Sequence, residues 1–171
     1  DFLRTRDIRE YDIIHASPVC KGYSVLAGLT KREYPKQVIE LRKLLQETGK
    51  PYVIENVRGA GLRDTVMLCG SMFGLRVYRH RYFETFPILN VLTLSCNHWA
   101  KASGNRSMKK NIRTTPNLTD YQILTVTGHD FILADALIAM GNHWMDQAGI
   151  AQSIPWVYSE WIGKRLMDVL R

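Results

Sequence analysis

Two short apolar runs, YDIIHAS at residues 11–17 and YVIEN at residues 52–56, decide how this chain is read. Pro18 ends the first run and Gly22 follows, the pattern of a buried strand entering a loop. Between the runs lies PKQVIELRKLLQETGKP, residues 35–51. Pro35 suits a first helical turn, and Gly49 with Pro51 suits a stop. Val38, Leu41 and Leu45 fall on one face at helical spacing, with charges between them. A strand, a helical connection and a second strand make a crossover unit, which sets its two strands parallel. Ligands of open parallel sheets bind beyond the carboxyl ends of the strands. Cys20 lies just past the first strand and Glu55 at the end of the second. A thiol and a carboxylate are therefore expected on one functional edge.

Outward from this unit, Thr65–Cys69 predicts a third strand, with Gly70 and Gly74 breaking the chain after it. Val77–Thr85 (VYRHRYFET) alternates and predicts an exposed edge strand or hairpin arm. The pattern decays from Asn90 to Asp120, a polar and basic stretch. Asp130–Met140 predicts a helix stopped by Gly141. Pro155–Leu170 predicts another, with Tyr158, Ile162, Leu166 and Val169 on one face. The fold class is α/β.

A chain of 171 residues suits one domain with a real core. It opens on Asp1 rather than Met, which predicts a fragment or a processed product. No run approaches the ~20 apolar residues of a membrane span, and no leader pattern opens the chain. A cytoplasmic protein without a membrane partner is expected. Lys and Arg number 23 against 16 Asp and Glu, a formal charge of +7. That balance favours a polyanionic partner, or is simply a basic surface. The cysteines are three, Cys20, Cys69 and Cys96, too few and too irregular for a disulfide framework. Cys96 and His98 stand close, but no second ligand pair follows them, so no metal site is expected.

Three positions invite chemistry. Cys20 is either a small buried hydrophobe or a nucleophile whose thiolate Lys21 and free loop amides favour. Glu55, inside an apolar run, is either capped by a loop amide or is a carboxyl able to donate a proton near neutrality. Arg79 and Arg81 flank His80; in one strand both guanidinium groups would share a face, solvated or clamping a carboxylate, phosphate or base edge.

In this order the blocks resemble the DNA cytosine-5 methyltransferase family, in the form carried by phages and bacteria. Val19-Cys20-Lys21-Gly22-Tyr23-Ser24 stands where the family has Pro-Cys-Gln followed by Phe-Ser. Glu55-Asn56-Val57 matches its Glu-Asn-Val, and Arg79-His80-Arg81 its Arg-x-Arg. Gln152-Ser153-Ile154-Pro155 with Ile162-Gly163 is similar to its C-terminal Asn-small-Val-Pro run and Ile-Gly helix. LIAMGNHWM and LCGSMFGLRVYRHRYFET are similar to further family segments.

The resemblance implies a set of roles. Cys20 would add to C6 of a cytosine turned out of the duplex, while Glu55 protonates N3. Arg81, with Arg79 near, would hold the base through O2. The activated C5 would take a methyl group from S-adenosylmethionine. Val19, Gln152 and Ser153 fall at positions that touch this donor, and Lys21 and Ser24 at positions against double-stranded DNA. The family's Phe-x-Gly-x-Gly-Gly donor loop has no counterpart before Cys20, and Val19, Lys21, Val77 and Gln152 replace family residues. The implied fold is an incomplete Rossmann-like methyltransferase sheet with a small irregular insert. Its segments are a catalytic core over residues 1–89, a target-recognition insert or surface loop over 90–129, and C-terminal helices over 130–171. A missing N-terminal half is then a second expected partner. A catalytically silent DNA-binding remnant, or one half of a split enzyme, is the alternative. A cysteine hydrolase pairing Cys20 with His15, His80 or His129 has no local signature here.

Overall fold

The computed structural model describes residues 7–23, 34–93, 95–98, 102–103, 123–128 and 131–171. It is a mixed α/β structure built on a four-stranded mixed sheet. Strands β1 (Ile14–Ala16), β2 (Tyr52–Asn56), β3 (Val66–Leu68) and β4 (Arg81–Phe86) lie in the order β1-β2-β4-β3. Helix α1 (Val38–Glu47) connects β1 to β2. Those two strands are parallel, with Ile14 opposite Tyr52 and Ala16 opposite Ile54. β4 runs antiparallel to β2, with Tyr52 opposite Phe86 and Asn56 opposite Tyr82. The chain divides into two units, Asp1–Met67 with Arg81–Leu92, and Leu68–His80 with Thr93–Arg171. Residues 68–80 thus group with the C-terminal part of the chain.

In the first unit, the sheet alternation sends Tyr52 and Ile54 to one face. There they pack with Leu41 and Leu45 of α1 and with Ile8 and Ile14. α1 starts three residues later than Pro35 suggested. Its first backbone amide, Val38 N, donates to the Tyr23 hydroxyl at 3.0 Å, which satisfies a donor the helix itself cannot. Gly49, at φ +65, ends it as expected.

Arg42 lies on the buried side of α1, a position the apolar stripe alone did not mark. Its guanidinium grips Glu84 of β4 with both arms, Nε to Oε1 at 2.6 Å and Nη2 to Oε2 at 2.7 Å. Nη2 also donates to Gly61 O at 2.7 Å, and Arg63 N donates to Glu84 Oε2 at 2.8 Å. The carboxylate is thus surrounded by donors, the condition under which a charge tolerates burial.

Among its described residues the second unit holds three α-helices, α2 (Leu133–Met140), α3 (Gln147–Gln152) and α4 (Trp156–Leu170). Its core gathers Val77, Val126, Ala136, Ala139, Met140 and Ile150. α2 stops at Gly141, at φ +70, as expected. Tyr158, Ile162 and Leu166 form the buried face of α4, whereas Val169 is exposed. α3 escaped the sequence reading; Asp146 caps it, its carboxylate accepting from Gly149 N at 2.7 Å. Strands β5 (Ala102–Ser103) and β6 (Ile123–Leu124) form a small parallel pair.

The strand expected over residues 77–85 is divided. Residues from Arg81 on form β4, while Val77 bridges Leu124, and Tyr78 N donates to Leu124 O at 2.7 Å. A Cβ at Gly70 would come within 2.5 Å of the Val77 carbonyl, so this approach requires glycine. No helix among the described residues is long and apolar enough to cross a membrane.

Removing one partner of a buried ion pair strands the other charge. Arg42→Met should therefore destabilise the chain by about 3–5 kcal/mol in urea unfolding. Arg42→Met with Glu84→Leu should recover much of that loss, and a double variant no more stable than Arg42→Met would contradict the pairing.

Candidate functional site

The residues that could act on a ligand stand at the carboxyl ends of β1 and β2. After β1 the chain passes Pro18 and Val19 and turns through a 3₁₀ segment, Cys20–Gly22. Tyr23 N closes that turn on Cys20 O at 3.0 Å. Cys20 is half-buried, and Val19 and Lys21 are exposed. Lys21 Nζ sits 5.9 Å from the centre of the Tyr34 ring, within reach of a cation–π attraction. Ser24 lies outside the described residues.

Two hydrogen bonds fix this loop to the core. Asn56, the last residue of β2, donates through Nδ2 to Pro18 O at 2.8 Å, and its Oδ1 accepts from Val57 N at 2.9 Å. Asn56 is buried at 1% exposure, so its amide is a rigid hook. The Tyr23 hydroxyl, bonded to the start of α1, ties down the other side. The sequence marked Asn56 only as part of a motif, and its role as a loop anchor follows from the parallel pairing of β1 and β2.

Glu55 lies one residue before Asn56 and so points to the opposite face of the sheet. It stands opposite Phe83 in the β2–β4 register. Arg81, two residues before Phe83, shares that face as a diagonal neighbour. Arg81 Nε meets Glu55 Oε1 at 2.8 Å, with both side chains largely buried. Glu55 and Arg81 are therefore brought together as an ion pair in the same unit as Cys20.

Arg79 has a different place. It lies outside β4, so the expected shared strand face with Arg81 does not form. Its side chain is buried in the second unit, Nη1 donating to Val126 O and Nη2 to Ala151 O at 2.8 Å. Its own carbonyl accepts from the Tyr158 hydroxyl at 2.7 Å. Arg79 thus fastens residue 126, α3 and α4 together.

Of the positions matched to donor contacts, Val19 belongs to the first unit and Gln152 and Ser153 to the second. Gln152 is exposed at the end of α3. Ser153 caps that helix, its amide donating to Gly149 O at 2.8 Å and its hydroxyl to Ile150 O at 3.2 Å. Of the hydrolase histidines, His80 stacks on His98 at 5.0 Å in the second unit, and His129 lies outside the described residues.

The second unit brings together a further group of side chains that could hold a metal ion. Cys96 and His98 acquire a second pair, Cys69 and His80, whose spacing follows no familiar ligand pattern. Burial, with the Cys69 sulfur adding, pushes the Cys96 thiol up from its ordinary value. Partial burial, with His98 adding, pulls His80 down.

No protein-family model matches the chain, and neither a curated protein nor a solved structure does so.

The two arginines of Arg79-His80-Arg81 should respond differently to loss of the planar fork. Arg79→Lys cannot reach both carbonyls and should cost about 1–3 kcal/mol of stability. Arg81→Lys keeps a cation beside Glu55 and should cost less. Equal losses in chemical denaturation would overturn this division of roles.

Proposed function

We propose that this chain activates cytosine in DNA in the manner of a DNA cytosine-5 methyltransferase, with Cys20 as the nucleophile. The observation that carries the reading is the buried Glu55–Arg81 pair at the end of the β2–β4 ladder, in the unit that also holds the anchored Cys20 loop. In this reading the four-stranded sheet is the incomplete Rossmann-like sheet of such an enzyme. The net charge of +7 and the exposed Lys21 suit double-stranded DNA as the partner.

The chemistry follows from the residue types. As an ion pair, Glu55 is in its carboxylate form and Arg81 is held in place. A flipped cytosine offers a carbonyl oxygen, O2, which the guanidinium can take as acceptor. Glu55, released from the pair, takes a proton from solvent and delivers it to N3, and takes it back when the thiolate leaves. The Cys20 thiolate adds to C6, and the C5–C6 π electrons shift to make C5 a carbon nucleophile. A proton from solvent adds at C5. Loss of the original C5 proton and expulsion of the thiolate restore the aromatic base.

S-adenosylmethionine is the donor the resemblance implies, but the residues present do not fit a complete donor site. The Ser153 hydroxyl, at a position matched to the donor, is spent on its own helix. No methyl-transfer step is therefore derived for this chain alone.

Exchange at C5 needs no methyl donor and so isolates the chain's own residues. Mixed-sequence duplex DNA carrying tritium at cytosine C5 should release label to water when incubated with the chain. Cys20→Ser should abolish release, and Glu55→Gln should lower it by about 100-fold or more. Release by the parent no faster than by Cys20→Ser would overturn the proposal and leave the remnant.

A further inference from the structure

Independently of that reading, we infer that Cys69, His80, Cys96 and His98 form a structural zinc site. Their four ligand atoms lie within 4.8 Å of one another. His80 Nε2 and His98 Nε2 are 3.3 Å apart, Cys69 Sγ and His98 Nε2 3.3 Å, and Cys96 Sγ and His80 Nε2 3.6 Å. Tetrahedral zinc with bonds of about 2.3 Å to sulfur and about 2.05 Å to nitrogen places ligand nitrogens about 3.3 Å apart and nitrogen–sulfur pairs about 3.5 Å apart. The three measured separations match those edges.

The arrangement is hard to explain as ordinary packing. Two imidazoles meet nitrogen to nitrogen, and each nitrogen also faces a sulfur. The four ligand atoms converge on one region. A dication resolves this, and two thiolates with two neutral imidazoles around Zn²⁺ leave no net charge. Two sulfurs and two nitrogens in a tetrahedral set select zinc over hard cations such as magnesium or calcium.

Neighbouring groups supply the supporting hydrogen bonds. The Cys69 sulfur accepts from the backbone amide of Met72 and from the Ser71 hydroxyl at 3.3 Å. Both bonds favour a thiolate ligand. Asn97 N donates to Ser71 Oγ at 3.1 Å, and the Tyr78 hydroxyl donates to His98 O at 3.1 Å. The Tyr78 ring meets the His98 ring edge-on at 4.5 Å. These contacts hold the Cys96–His98 turn with its ligands aimed at Cys69 and His80. All four positions being filled by protein, the ion would be structural, with no place left for a reacting water. It would clamp the segment after β4 to the Cys69–His80 stretch of the same unit.

The test uses the full chain, purified without a histidine tag under reducing conditions. Elemental analysis should find about one zinc per chain. Replacement by cobalt should give the intense visible bands of a tetrahedral site, with a thiolate charge-transfer band in the near ultraviolet. A chelator should lower the melting temperature, because the metal binds only the folded state. His98→Ala and Cys96→Ser, both away from the buried core, should each lose the metal. A chain with no bound zinc that takes up no cobalt overturns the inference, as does a weak octahedral cobalt spectrum. Full zinc content in Cys96→Ser overturns it too, and so does a metal-free chain with one titratable thiol, which would mean a Cys69–Cys96 disulfide. Should the variants not fold, the cobalt spectrum of the parent decides alone.

Discussion

Burying a carboxylate on each face of the β2–β4 ladder obliges the chain to bring a guanidinium to each. Glu84 points toward α1 and is met there by Arg42, whose two arms and the Arg63 amide saturate it. Glu55 points the other way and is met by Arg81 from the adjacent strand. The first pair uses a residue from a helix and serves packing. The second is made between neighbouring strands of the sheet. A ligand carbonyl could therefore compete for Arg81 without disturbing α1, whereas the same competition for Arg42 would open the core.

The first crossover was legible because its signals are local. Short apolar runs bounded by Pro18, Gly49 and Pro51 leave little choice of element, and parallel pairing follows from connection length. The face of α1 was legible for the same reason, apart from Arg42, which stands on that face four residues after Val38 but whose charge reads as solvent-facing. Glu55 drew notice as a charge within an apolar strand, and the structure gives it a partner on the same sheet face.

What failed was anything decided by distant contacts. VYRHRYFET alternates throughout, yet only its second half belongs to the main sheet, because Arg79 is drawn inward by two backbone carbonyls far along the chain. No local pattern announces those carbonyls. The sulfur–imidazole quartet was unreadable for a similar reason. Cys69 and His80 stand eleven positions apart, outside any usual ligand spacing, and only folding sets them beside Cys96 and His98. α3 is too short to show a period, although Asp146 three residues before Gly149 is a capping signal.

Neither unit is a continuous stretch of chain. The polypeptide leaves the first at residue 67, returns for residues 81–92, and then leaves again. During synthesis the first unit cannot close until β4 has emerged, although β1, α1 and β2 are made much earlier. Until then the hydrogen-bonding edge of β2 and the Arg42 guanidinium wait without their final mates. A cut inside residues 68–92 parts the segments of both units, so limited proteolysis or gene fission there would damage both at once.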